Sequence, residues 1–143
     1  MTLRWIYNAT IGLDWDALST LYRIAPLGDK PPEGLRTVFG NSRYSCVVYD
    51  GEQLVGAGRV LADGLDCAYV CDVAVHPEHQ RTGLGRAIVD YLVDQSRGHK
   101  KIILYAVPGK EPFYRRFGFR RMKTAMAIFA HPDEAAARGY IED

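Results

Sequence analysis

Apolar and polar residues alternate along this chain with two different periods. "LRWIYNA" (3–9) alternates one in, one out, and predicts an opening strand, whereas "WDALSTLYRIA" (15–25) spaces Leu18, Leu21, Tyr22 and Ala25 along one helix face. "PLGDKPPEG" has the composition of a turn, and "LRTVFGNS" after it predicts a second, short helix. "RYSCVVYDGEQLVGAGRVLAD" (43–63) reads as two strands around Asp50-Gly51, a dipeptide that supplies the positive backbone angles of a tight hairpin. A third strand of the series covers roughly 67–75. "LGRAIVDYLVDQSRG" then places Leu84, Ile88, Tyr91, Leu92 and Gln95 on one side of a helix, with Gly98 as its stop. "KIILYAV" (101–107) is apolar throughout, as a central strand buried on both faces would be. "EPFYRRFG" predicts a short helix with Pro112 in its first turn and Gly118 at its end, and "RRMKTAMAIFAH" a closing strand.

This order of elements gives an α/β (α+β) class with a mixed, mostly antiparallel sheet and helices on both faces. No repeat, low-complexity tract or linker interrupts it, so residues 1–143 are expected to form a single domain.

Composition adds little to that picture and removes several classes. With 48% hydrophobic and 24% charged residues, the chain is an ordinary globular protein, long enough to fold without a metal or disulfide staple. Cys46, Cys67 and Cys71 are odd in number and include no Cys-x-x-Cys pair, which suits reduced thiols and a cytoplasmic location. The N-terminus lacks the apolar stretch of a signal peptide, and no run reaches the roughly 18 residues of a membrane span. The sequon Asn8-Ala9-Thr10 is therefore read as accidental.

Net charge is only +1 but unevenly spread: residues 97–123 hold nine basic residues against one acidic, and residues 1–96 eight basic against twelve acidic. The basic stretch reads either as a solvated face or as an anion-binding side; the small overall charge argues against general nucleic-acid binding, which needs many phosphates neutralised.

The stretch that carries chemistry is "EHQRTGLGRA" (78–87), which places Gly83 and Gly85 where a strand turns into a helix. The first turn of a helix presents N–H groups without intrahelical partners at the positive end of the peptide dipoles. Glycines there let a phosphate approach the backbone without meeting a β carbon. A P-loop is excluded because Gly85 is followed by Arg86 and Ala87, and a dinucleotide fingerprint is excluded because position 88 is Ile88.

Gln80-x-x-Gly83-x-Gly85, after a strand ending in "DVAV" and before an amphipathic helix, resembles the acetyl-coenzyme A loop of the GNAT superfamily of N-acetyltransferases. Downstream, "PGKEPFYRRFGF" resembles that family's second signature, and the likeness covers about residues 43–130. It implies a splay between the strand before the loop and the strand after the helix, with the pantetheine arm of acetyl-CoA against the backbone of Val73, Ala74 and Val75. The pyrophosphate would then rest on the segment from Gln80 and Arg81 through Thr82, Gly83, Leu84 and Gly85 to Arg86. Arg86, Lys110 and Arg116 are candidates for the phosphates of the adenosine end, or else solvated cations.

The reaction implied is transfer of acetyl from acetyl-CoA directly to a primary amine of a small molecule. It needs a neutral amine, a polarised carbonyl and a protonated leaving thiolate. Tyr114 falls on the family's acid beside the coenzyme sulfur; the other reading is a core aromatic among three phenylalanines. The carbonyl would be held by a backbone N–H near Ala74 or Val75. Asp72 would hold or deprotonate the amine, or serve as an ion-paired structural aspartate, with Tyr69 and Cys71 on the opposite face unless a bulge intervenes.

His76 and His79 have no further ligands to complete a metal site and are expected in a solvated loop, so no metal is expected. The acceptor pocket is expected around 26–43, where Asp29 and Glu33 would draw in a cation. A protein or peptide acceptor, a noncatalytic acyl-CoA-binding module, or a docking role for "RRFGFRR" are the competing functions. No membrane partner is expected, and a homodimer is compatible with the resemblance.

Overall fold

A computed structural model describes residues 2–9 and 11–143, so Thr10 of the sequon lies outside the described residues. The chain divides into two compact units, Met1–Leu104 and Tyr105–Asp143.

The first unit is built on five strands in the spatial order of the sequence: β1 (Leu3–Tyr7), β2 (Tyr44–Asp50), β3 (Gln53–Ala62), β4 (Cys67–Val75) and β5 (Lys101–Ile103). The first four are antiparallel, and β5 joins β4 in parallel. Between β1 and β2 run α1 (Trp15–Ile24) and α2 (Pro32–Gly40); α3 (Leu84–Ser96) separates β4 from β5. The Asp14 side chain caps α1 by accepting from the Ala17 N–H at 2.9 Å, and prolines open α2, where their missing N–H costs nothing. In the β2–β3 hairpin the turn residues are Gly51-Glu52, one step later than Asp50-Gly51, and only Gly51 has positive φ, +62°.

Strand alternation sends successive residues to opposite sides, so the sheet carries two cores. Val47, Leu54, Ala57 and Ala74 pack with Leu18, Leu21 and Tyr22 of α1 and Leu35 and Phe39 of α2. Val48, Val55, Val60 and Val70 pack with Leu84, Ile88 and Leu92 of α3. Two glycines of β3 set how close α3 comes: a β carbon at Gly56 would lie 2.8 Å from Ile88 Cδ1, and one at Gly58 would lie 2.7 Å from Leu92 Cδ1. The buried side of α3 is rotated from the expected one. Val89, Val93 and Ser96 are buried, whereas Gln95 is exposed, its amide remaining in water while Ser96 satisfies its hydroxyl on Leu92 O at 2.7 Å.

Two strand expectations are corrected. The apolar run 101–107 is not a central strand: β5 spans three residues at the sheet edge, paired only through Cys67–Tyr69. An apolar run fixes neither burial nor pairing: the strand ends before Tyr105, and Tyr105 and Val107 are exposed. The closing strand over "RRMKTAMAIFAH" does not form either; the segment is irregular and leaves Met126 and Ile128 exposed.

The second unit holds α4 (Glu111–Arg115) and a helix absent from the sequence reading, α5 (Pro132–Ala137). Its apolar contacts are aromatic: Tyr105 meets Phe129 and Tyr140 edge-on at 6.0 and 5.3 Å, and Phe113 meets Phe117 at 5.3 Å. No described helix is long and apolar enough to cross a membrane.

Candidate active site

After β4 the chain makes a 3₁₀ turn, Pro77–His79, and then the glycine segment. His76 N–H donates to Val55 O at 2.8 Å and the Gln80 side-chain amide donates to Val75 O at 3.2 Å, so the segment is tied back to the sheet at both ends of the turn. Arg81 and Gly83 adopt φ of +65° and +89°. A positive φ is natural for glycine, and here it turns the chain sharply into α3. The first helical bond is Ala87 N–H to Gly83 O at 3.0 Å, so the N–H groups of Leu84, Gly85 and Arg86 precede the ladder. A β carbon on Gly83 would meet nothing within 4 Å, which leaves open space over those groups. Free amides, the positive end of a 13-residue helix and room for bulk fit a diphosphate. Arg86 is exposed in the first turn of α3.

His79 was expected in solvent and is instead 8% exposed. Its Nε2 lies 3.0 Å from Asp50 Oδ2 at the end of β2, and its Nδ1 is buried with no hydrogen-bond partner among the described residues. The Asp50 carboxylate and the His76 ring, 5.7 Å away and edge-on, therefore stand beside the imidazole where the loop position suggested water.

Beside this loop, β4 has an open edge. Among the described residues its pairing with β5 ends at Tyr69↔Ile103, while its other edge stays on β3 up to Val75. The main chain of Val73, Ala74 and Val75 is thus unpaired by β5, as an added extended ligand requires.

Within the same strand lies a bulge. Ala57 faces Ala74 and Arg59 faces Cys71, so Asp72 and Val73 together oppose Gly58, and Asp72 takes φ +54°. An aspartate with positive φ inside a strand is costly, and the neighbours hold it. Arg59 Nε donates to Asp72 Oδ2 at 2.8 Å, Lys30 Nζ lies 3.4 Å from Oδ1, and the Tyr22 hydroxyl donates to Asp72 O at 2.7 Å. Of the roles left open for Asp72, the ion pair is therefore present. The bulge also brings Cys71 into the electrostatic field of Arg59, Asp72 and Lys30, where alternation alone had separated them. Burial pushes the Cys71 thiol up to about 11, which keeps it neutral at pH 7.

In the second unit, Tyr114 of α4 is half-buried between Phe113 at 5.0 Å and Phe119 at 6.1 Å. Burial holds its phenol above the ordinary range, so it remains a proton donor at neutral pH. Lys110 and Arg116 flank the same helix and are exposed. Glu111 accepts from Gly109 N–H at 2.8 Å, which fixes the turn into α4.

A family model described as "Acetyltransferase (GNAT) domain" matches residues 41–121, more than half of the chain. The chain belongs to the GNAT family. Among the relatives of this GNAT chain is serotonin N-acetyltransferase 2, chloroplastic, of Oryza sativa subsp. japonica, 34% identical over 122 residues, which cover 80% of this chain and 60% of the rice protein. The chain therefore spans only part of the length of that relative. Glucosamine 6-phosphate N-acetyltransferase of Trypanosoma brucei brucei is 33% identical over 67 residues, 46% of each protein. Among solved structures, a probable acetyltransferase from meticillin-resistant Staphylococcus aureus has a TM-score of 0.78 at 21% identity, covering 90% of this chain and 99% of that one. Such likeness establishes the mixed sheet as a GNAT fold.

The glycines, the strand before them and the aromatic-tyrosine pair were all visible in the GNAT signatures. Lys30, Arg59, Tyr22 and Asp50 were not. Tyr22 and Asp72 are 50 positions apart, and only the strand register, with its bulge, brings such residues together.

Proposed function

We propose that this GNAT domain moves the acetyl group of acetyl-CoA to a primary amine of a small molecule, by direct attack of the amine on the thioester. The observation that carries the reading is the edge of β4 left unpaired by β5 and followed, after the turn at Pro77–His79, by the left-handed Gly83 and the uncapped start of α3. An extended arm followed by a diphosphate matches those two features in that order. Acetyl-CoA is the activated acetyl donor that the family uses. Residues 1–143 are assigned to one acetyltransferase domain because the family match crosses the boundary at Leu104.

The roles assigned to the residues follow from their chemistry. Main-chain groups of Val73, Ala74 and Val75 align the arm, with an N–H near Ala74 or Val75 polarising the carbonyl. The loop from Gln80 to Arg86 takes the pyrophosphate, and Arg86, Lys110 and Arg116 are assigned to the remaining phosphates. Tyr114 protonates the leaving thiolate: a phenol is protonated at neutral pH and so has a proton to give as the thiolate departs. Asp72, already paired with Arg59, is assigned to holding the amine; the proton the amine gives up passes to solvent water, from which Tyr114 regains the proton it gives to the thiolate. The rice and trypanosome relatives are both named for small molecules that carry an amino group, which supports a small acceptor.

A panel of primary amines, assayed by free thiol released from acetyl-CoA, tests this reading with Tyr114→Phe beside the wild type. The variant is expected to keep its affinity for the coenzyme and lose turnover by about 10²- to 10⁴-fold, the usual scale of acid catalysis. Equal rates across a pH series would remove Tyr114 from the mechanism.

A further inference from the structure

We infer that the Lys30 side chain occupies the seat of the acceptor's ammonium group, so that the acceptor is a cationic amine that enters by displacing it; this rests on the proposed transfer to an amine. Asp72 holds two cations with unequal grip. Arg59 Nε lies 2.8 Å from Oδ2 with a side chain only 12% exposed, whereas Lys30 Nζ lies 3.4 Å from Oδ1 with 29% exposed. Arg59 alone balances the carboxylate, so the second cation is in excess and can leave.

The lysine is also built to leave by its side chain alone. Its main chain sits between α1 and α2, where the Ser19 hydroxyl donates to Lys30 O at 2.6 Å, and its four-carbon stem can swing into water without moving that anchor. What it would uncover is a carboxylate oxygen beside an aromatic face, for Nζ also stands 5.7 Å from the centroid of the Tyr22 ring. A carboxylate combined with an aromatic face is the pairing that recognises an alkylammonium ligand. Arg59 and the Tyr22 hydroxyl keep the carboxylate and the bulge in place when Lys30 departs. The neighbouring main chain of Val73 to Val75 is where the acyl arm is proposed to lie, one to three residues on.

Ethylammonium chloride is a suitable probe, titrated into the protein saturated with coenzyme A while backbone amide signals of Tyr22, Lys30 and Asp72 are followed by NMR. Lys30→Met keeps the stem and removes the charge. It should bind the probe roughly two- to fivefold more tightly than wild type, as expected for losing a part-exposed competing ion pair. Lys30→Met combined with Asp72→Asn should lose that gain. Unchanged or weaker binding by Lys30→Met, or shifts confined to other residues, would overturn the inference. The titration needs no turnover, so it decides the role of Lys30 even if the amine panel releases no thiol, a result that would sink the transfer reading instead.

Discussion

His79 Nε2 and Asp50 Oδ2 stand 3.0 Å apart, joining the turn before the glycine loop to the last residue of β2. The imidazole is buried and the carboxylate half-exposed, so the bond ties the turn after β4 to the end of β2. His79→Ala removes the ring and leaves the loop held by His76 and Gln80 alone. It should lower stability by about 1–3 kcal/mol, the scale for losing a buried hydrogen-bonded group, and weaken coenzyme affinity. Asp50→Asn, which keeps an oxygen for the ring N–H, should do less of both. Urea unfolding and coenzyme titration on the two variants check the order; a larger effect from Asp50→Asn would contradict it.

Gly83 separates backbone cost from ligand cost. At φ +89° an alanine costs about 1–2 kcal/mol in backbone strain, yet its β carbon meets no protein atom within 4 Å. Gly83→Ala should therefore lower the melting temperature modestly. Gly83→Glu should add a block to coenzyme uptake through bulk and like charge. Equal coenzyme affinity in wild type and Gly83→Glu would remove the diphosphate from this loop.

Gly58 tests the spacing between α3 and the sheet. An alanine there meets Leu92 Cδ1 at 2.7 Å and Ile88 Cγ2 at 3.1 Å, so the Leu92 and Ile88 side chains must turn aside within a closely packed core or the helix must move. Overpacking of this kind costs about 1–3 kcal/mol, and Gly58→Ala is expected to show it in chemical denaturation while leaving the far core around Phe39 unchanged by NMR.

Asp63 sets an acid limb of stability. Three N–H groups, from Leu65, Asp66 and Cys67, donate to its Oδ1 and lower its pKa to about 2. The folded value lies below the unfolded one of about 3.9, so the contribution is present above pH 4 and is lost as pH falls through 2. Asp63→Asn should flatten the wild-type decline in melting temperature between pH 4 and 2; an unchanged slope would place the acid sensitivity elsewhere.

What the sequence made legible were local patterns. The hairpin, β4, α1 and the start of α3 follow from period and turn chemistry, and the glycine loop follows from what a phosphate needs of a backbone. Strand length at the end of the chain was not legible, because "KIILYAV" and "RRMKTAMAIFAH" have strand composition while pairing depends on what lies beside them. The bulge at Asp72 was equally hidden. Nothing in "YVCDVAV" marks an extra residue, and the clamp of Arg59, Lys30 and Tyr22 exists only once four distant segments are brought into register.

The bare stripe of β3 under α3 binds two stretches of chain into a shared history. Any descendant that acquires a methyl at position 56 or 58 must repack or trim Ile88 or Leu92, or lift the helix whose first turn forms the loop. Alanine at 58 with valine at 92, which removes about the volume that the first change adds, should therefore be better tolerated than the first change alone. Substitutions at these positions would then travel together among relatives, although the residues themselves touch no ligand.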